Sequence, residues 1–208
     1  MRLHYRLSWL FLNCMERLVF GFKVTGAEHI PRTGPVIIAS NHISYADPPV
    51  VGSAVPREVY FMAKEELFTN PAFGWLIRRY NAIALRRAVG DLGAVRKAVD
   101  LLRQGRAVLM FPEGTRSLAG QLLKAKPGVG LIACTAGVPV VPAYVAGTNC
   151  LWRVCVRRAG LRVSFGPPLT AAVLPGARSS GRDKYQAFSD EVMRRIGELA
   201  DSAGARHG

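Results

Sequence analysis

An α/β three-layer sandwich, with a mainly parallel or mixed central sheet and helices on both faces, is the architecture this sequence predicts. Apolar runs of strand length alternate along the chain with segments whose apolar residues recur at helical spacing. Glycine or proline stands at most of the junctions between them. At 208 residues and 50% hydrophobic, the chain can bury one sizeable core, and no polar linker divides it.

The elements follow in order. Residues 3–22 read as an amphipathic N-terminal helix carrying Leu3, Tyr5, Leu7, Trp9, Leu10, Phe11, Leu12, Leu18, Val19, Phe20 and Phe22. Its flanking Arg2, Arg6, Arg17 and Lys23 suit a helix lying in a lipid interface; a helix packed on the domain is the alternative. No stretch reaches the roughly 18 uninterrupted apolar residues of a spanning helix, and no cleavage site marks a signal peptide. Val36 to Ala39 is the first strand. A helix from about Ala46 to Ser53 starts at Asp47-Pro48, since proline fits a first helical turn, and Val59 to Met62 is the second strand.

Pro71 to Tyr80 is a helix and Ala82 to Leu85 a short strand. Residues 91–104 place Leu92, Val95, Val99 and Leu102 at helical spacing before Gly105 stops them. Ala107 to Phe111 is a strand, Pro127 to Ala136 a helix closed by Gly137, and Val140 to Val145 and Leu161 to Phe165 two further strands. Lys184 to Ala200 is the last helix, with Tyr185, Phe188, Val192, Ile196 and Leu199 on one face. The expected division is an N-terminal interface segment over residues 1–25, one domain over 26–203 and a flexible tail over 204–208.

Charge narrows the partners. The chain carries a net +14, distributed rather than confined to a tail. Between Leu76 and Arg106, for instance, Arg78, Arg79, Arg86, Arg87, Arg96, Lys97, Arg103 and Arg106 face only Asp91 and Asp100. Such a surface seeks anions, whether lipid headgroups, an acidic carrier protein or coenzyme A phosphates. Nucleic acid is not expected, because no helix-turn-helix, zinc-finger or RNA-binding aromatic motif accompanies the charge. Cys14, Cys134, Cys150 and Cys155 lack metal-ligand spacing, so neither a disulfide framework nor a metal is indicated.

Chemistry concentrates in two loops. Asn41-His42-Ile43-Ser44-Tyr45-Ala46-Asp47-Pro48 follows the first strand and delivers an imidazole with a carboxylate. A His can take a proton from an alcohol near neutral pH, and an Asp on its other ring nitrogen fixes the tautomer and stabilises the imidazolium. A loop histidine followed by an Asp capping the next helix is the plainer alternative. Phe111-Pro112-Glu113-Gly114-Thr115-Arg116-Ser117 follows another strand. There Gly114 lets backbone approach a ligand, the N–H groups of Gly114 and Thr115 can meet phosphate oxygens, and Arg116 offers a bidentate fork. Two such loops at the same ends of two strands suggest one site. Met62-Ala63-Lys64-Glu65-Glu66-Leu67-Phe68 lies between them, and Val138-Pro139-Val140-Val141-Pro142-Ala143 follows.

In these four ordered blocks the chain resembles the 1-acylglycerol-3-phosphate (lysophosphatidic acid) acyltransferase family, over about Gly26 to about Pro168. An extra Glu in Lys64-Glu65-Glu66-Leu67 and a short region ahead of the first strand depart from the family pattern. The resemblance implies acyl transfer from acyl-coenzyme A or acyl carrier protein to the sn-2 hydroxyl of lysophosphatidic acid, giving phosphatidic acid with no cofactor and no metal. It implies catalytic roles for His42 and Asp47 and substrate-binding roles for Lys64, Glu113, Gly114, Thr115 and Arg116. The apolar, basic-flanked residues 3–22 and the net positive charge make an anionic membrane surface the expected partner, with the protein peripheral or monotopic on the cytoplasmic face of the cell membrane. A lyso-ornithine acceptor, and a basic membrane- or nucleic-acid-binding protein without turnover, are the alternatives. No Gly-x-Gly-x-x-Gly, Gly-x4-Gly-Lys-Ser/Thr or Gly-x-Ser-x-Gly occurs, so neither nucleotide binding nor an acyl-serine at Ser44 is expected. Phe73 and Trp75 either line an acyl groove or pack in the core.

Overall fold

Val36–Ser40 (β2) is buried at every position because it runs through the middle of the sheet, between Ala107–Met110 (β5) and Val140–Ala146 (β6). The computed structural model describes residues 1–85, 92–150, 160–170 and 181–205. Among them the sheet has seven strands, in the order β1-β7-β6-β2-β5-β3-β4. The others are Lys23–Thr25 (β1), Val59–Lys64 (β3), Ala82–Leu85 (β4) and Arg162–Phe165 (β7). The five strands from β6 to β4 run parallel; β7 pairs antiparallel with β6, and β1 runs parallel to β7. The sheet is therefore mixed but mainly parallel.

Alternation along β2 separates the two faces. Val36 and Ile38 join Val50, Val51 and Ala54 of the helix Asp47–Ala54 (α2), and Val55 just after it, in one core. Ile37 and Ala39 join the other core, built with Leu92–Arg103 (α4), Gly128–Ala136 (α5) and Arg182–Ala205 (α6). Continuous burial of this kind is what a parallel strand covered on both sides requires. At Gly130 the backbones of α5 and α6 come so close that a Cβ would lie 2.0 Å from the Tyr185 carbonyl oxygen, and Gly130 N–H donates to Ser189 Oγ.

Several elements begin or end away from their expected bounds. Strand β3 runs on to Lys64, α6 begins at Arg182, and Pro71–Arg79 (α3) stops one residue before Tyr80. Strand β1 has no forerunner in the sequence pattern, since three residues carry no period; pairing with β7 forms it. Residues 23–25 thus join the sheet. Arg86, Arg87, Asp91, Cys155 and residues 206–208 lie outside the described residues. On α3, α4 and the turn before β5, Arg78, Arg79, Arg96, Lys97, Arg103 and Arg106 are all exposed.

Helix Leu3–Phe20 (α1) is inverted relative to an ordinary surface helix. Its polar side faces the protein: Asn13 Nδ2 donates to the Ser53 carbonyl, Trp9 Nε1 to the Val55 carbonyl, and Ser53 Oγ to Glu16, all at the end of α2. Its outward stripe is apolar, formed by Leu3, Leu7, Leu10, Phe11 and Leu18. Phe73, Trp75 and Leu76 of α3 are also exposed, which corrects core packing as a role for Phe73 and Trp75. None of the described helices is long and apolar enough to cross a membrane.

Glu16 is only 4% exposed, and burial raises its pKa from 4.5 to about 7, a shift the Ser53 hydrogen bond offsets in part. A carboxyl raised in the folded state adds stability that is fully present below its unfolded pKa and lost as pH rises through the folded one. The loss is on the order of 2–3 kcal/mol. Urea denaturation at pH 5 and pH 8 should therefore show wild type losing more stability across that interval than Glu16→Gln, which keeps the shape without the proton. Parallel pH profiles of the two proteins would show that Glu16 ionises freely.

Candidate active site

Parallel pairing of β2 with β5 sets Ala39 beside Met110, so the two motif loops leave the sheet side by side at its carboxyl end. Asn41 steers the first loop. Its side-chain amide donates to the Val145 carbonyl and accepts from Val145 N–H, as a strand residue would, and so fixes the chain on β6 just before His42.

Asp47 is fully buried and organises the turn. One carboxylate oxygen accepts from His42 Nδ1 at 2.7 Å, Ile43 N–H at 2.6 Å and Ser44 N–H at 2.8 Å. The other accepts from Thr148 Oγ1. The side chain turns back onto the loop and caps none of the α2 amides. Four donors thus satisfy a buried carboxylate that isolation would make costly.

The His42 imidazole lies almost flat on the Phe111 ring, with centroids 4.1 Å apart and planes 22° from parallel. With one face covered and Nδ1 engaged, the ring has little freedom to turn. An Nδ1–H donating to Asp47 leaves the lone pair on Nε2. The side chain is 17% exposed, so the imidazole stands at the rim while its partner Asp47 is fully buried.

The second loop is tied to the first through backbone. His42 N–H donates to Glu113 Oε1 at 2.8 Å, and Ser117 N–H donates to the His42 carbonyl at 2.7 Å. Glu113 also accepts from Leu123 N–H through its other oxygen. Burial pushes its pKa up, while the two amides pull it down. Expected as a substrate ligand, Glu113 turns inward, because its carboxylate is needed to join residue 42 to the returning 118–126 segment. Gly114 makes the turn at φ +63°, with its N–H on the Phe111 carbonyl. Gly114 and Thr115 are exposed, and the Arg116 guanidinium lies 3.5 Å over the Tyr45 ring.

Lys64 ends β3, exposed, one strand beyond β5. Among the described residues no hydrogen bond, ion pair or ring contact joins it to the cluster around His42. Nor do those residues hold a group of three His, Cys, Asp or Glu side chains able to take a metal. Residues that sequence reasoning missed are Thr148, Asn41, Phe111 and Tyr45, each placed by a long-range contact, and Lys126, whose chain crosses Gly114. Together the groups can hold a base with a fixed tautomer beside a cationic, glycine-built loop.

The chain is similar to known acyltransferases. Residues 21–146 match the family model described as acyltransferase. Over 202 residues the chain is 33% identical to a 1-acyl-sn-glycerol-3-phosphate acyltransferase of Streptococcus pneumoniae, covering 93% of this chain and 74% of that protein. It is 31% identical over 139 residues to the lyso-ornithine lipid O-acyltransferase of Pseudomonas aeruginosa, covering 66% of this chain and 52% of that protein. A crystal structure of the 1-acyl-sn-glycerophosphate (LPA) acyltransferase from Thermotoga maritima matches the fold with a TM-score of 0.70 at 28% identity, covering 96% of this chain and 84% of that one.

Proposed function

The chain belongs to the acyltransferase family, and on that footing we propose that it moves a fatty acyl group from a thioester, acyl-coenzyme A or acyl carrier protein, to the sn-2 hydroxyl of lysophosphatidic acid. The product is phosphatidic acid. The observation that carries this reading is the 2.7 Å contact of His42 Nδ1 with Asp47, in a loop bonded to the one that bears Arg116. His42 Nε2 takes the hydroxyl proton as the oxygen attacks the thioester carbonyl. The C–S bond then breaks, and the thiolate leaves with the proton from the imidazolium. Asp47 holds the ring and balances its charge throughout.

Arg116 binds the acceptor phosphate through its planar fork, Gly114 and Thr115 bring backbone to it, and Lys64 adds positive charge from β3. Glu113 acts as a positioning residue. A lyso-ornithine acceptor is the second reading, supported by the similarity to the Pseudomonas protein; the cationic Gly114–Arg116 turn favours a phosphomonoester. Purified full-length protein given each acceptor with either donor, with lipid products resolved by mass, tests the choice. Phosphatidic acid should form with the higher kcat/KM. Faster turnover of the ornithine lipid would overturn the acceptor, and no product with either would overturn the enzyme.

The membrane reading draws on α1, whose outward stripe is apolar and whose docked side is polar. A net charge of +14 attracts anionic lipid at the cytoplasmic surface, and the stripe inserts at the interface. Flotation with anionic vesicles should weaken at least about tenfold when Leu7, Phe11 and Leu18 are changed together to Ser, because each buried apolar side chain contributes roughly 1.5–3 kcal/mol. High salt should release the unaltered protein only in part. Equal flotation of both proteins would make the stripe irrelevant.

A further inference from the structure

Lys126 stands just before α5, held by its own N–H on the Pro112 carbonyl at 2.8 Å. From there its side chain runs across Gly114. A Cβ on Gly114 would lie 2.8 Å from Lys126 Cδ, 3.1 Å from Cε and 3.0 Å from Nζ. The missing Cβ leaves the space in which the chain lies, and the ammonium rests against the backbone of the loop's exposed turn.

Among the described residues, nothing acidic accounts for that placement. The carboxylate next along the loop, Glu113, has one oxygen on His42 N–H and the other on Leu123 N–H. Among the described residues no ion pair joins Lys126 to a carboxylate. Gly114 is the link between Glu113, which holds the His42 backbone, and Thr115-Arg116, which carry the guanidinium over Tyr45. An exposed ammonium lying over that link stands next to the segment already read as an anion site. A phosphomonoester carries nearly two negative charges at neutral pH, more than one Arg neutralises. Among the described residues no bond ties Lys64 to this turn, whereas the Lys126 backbone is bonded to the Pro112 carbonyl and its side chain lies over Gly114.

We propose that Lys126 is a second cation of the acceptor-headgroup site, binding the phosphomonoester together with Arg116. The proposal rests on the phosphate-acceptor reading above. It makes Lys126 a determinant of acceptor affinity, with no part in proton transfer.

The test uses the full chain with Lys126→Ala, Lys126→Arg, Arg116→Ala and, as a control, the exposed neighbour Lys124→Ala. Acceptor and donor KM, kcat, and inhibition by inorganic phosphate are measured for each, with thermal melts to confirm folding. Lys126→Ala should raise the acceptor KM about tenfold, with kcat and donor KM changed less than about threefold, a pattern that marks lost headgroup binding. Inorganic phosphate should weaken as an inhibitor by a similar factor, and Lys126→Arg should recover most of both. Lys124→Ala should match wild type.

An acceptor KM within about twofold of wild type in Lys126→Ala overturns the proposal. So does a rise confined to donor KM, or an equal effect from Lys124→Ala, which would show diffuse charge instead of a site. If Arg116→Ala weakens acceptor and phosphate while Lys126→Ala does not, the phosphate reading stands and only Lys126 falls. If phosphate fails to compete and neither substitution moves the acceptor KM, the phosphate-acceptor reading falls with it.

Discussion

His42→Ala should lower kcat by roughly 10³–10⁴-fold and leave the fold standing. The size follows from the geometry: the substitution removes the group whose Nδ1 is held by Asp47 and whose Nε2 lone pair is proposed to take the hydroxyl proton. The fold survives because the loop is held by backbone groups of residue 42, its N–H on Glu113 and its carbonyl on Ser117 N–H, and not by the ring. Loss of stacking on Phe111 costs about 1 kcal/mol. Single-turnover rates with both substrates saturating, alongside a thermal melt, check this. A rate near wild type in a folded variant removes His42 as the base.

Asp47→Asn tests charge separately from shape. An asparagine oxygen facing the loop still accepts from His42 Nδ1, Ile43 N–H and Ser44 N–H, while its amide meets Thr148, whose hydroxyl hydrogen must then turn aside. The tautomer is kept but the negative charge beside the imidazolium is lost, so kcat should fall about 10²–10⁴-fold with the acceptor KM nearly unchanged. Asp47→Ala differs in kind, since it leaves four donors without their acceptor, Thr148 buried and the other three partly so, and should destabilise the protein by several kcal/mol. Steady-state kinetics of the Asn variant decide the matter: a raised acceptor KM at normal kcat would move Asp47 from charge balance to substrate placement.

Much of the site was legible because its parts are local. The His42-x4-Asp47 spacing closes within one turn, and the Glu-Gly-Thr-Arg loop follows a strand whose apolar run is plain. The alternating pattern also gave the layered fold and the strand-end position of both loops. What stayed hidden depends on distant pairing. Thr148 reaches Asp47 across 101 positions and Asn41 meets Val145 across 104, separations at which no sequence period operates. The inward turn of Glu113 depends on where Leu123 returns. On α1, Glu16 and Asn13 dock on α2, while Leu7 and Phe11 face outward, on the side for which the lipid-interface role is proposed. Composition averaged around a helix cannot separate such sides. Strand β1 and the antiparallel turn of β7 likewise come from pairing alone.

The adjacency of β2 and β5 also sets when activity can arise as the chain folds. His42 and Glu113 stand 71 residues apart, so the loop carrying the base acquires its clamp only after a large intervening segment has found its place. Closing such a loop costs entropy before any contact rewards it, which makes non-local parallel pairing slow. A nascent chain that has emerged only through β4 holds His42 and Asp47 in its sequence but lacks Phe111, Glu113, Arg116 and Thr148. On the roles proposed for these residues, catalytic competence requires the completed sheet, and a peptide of residues 41–48 grafted elsewhere would carry the letters of the motif without its geometry.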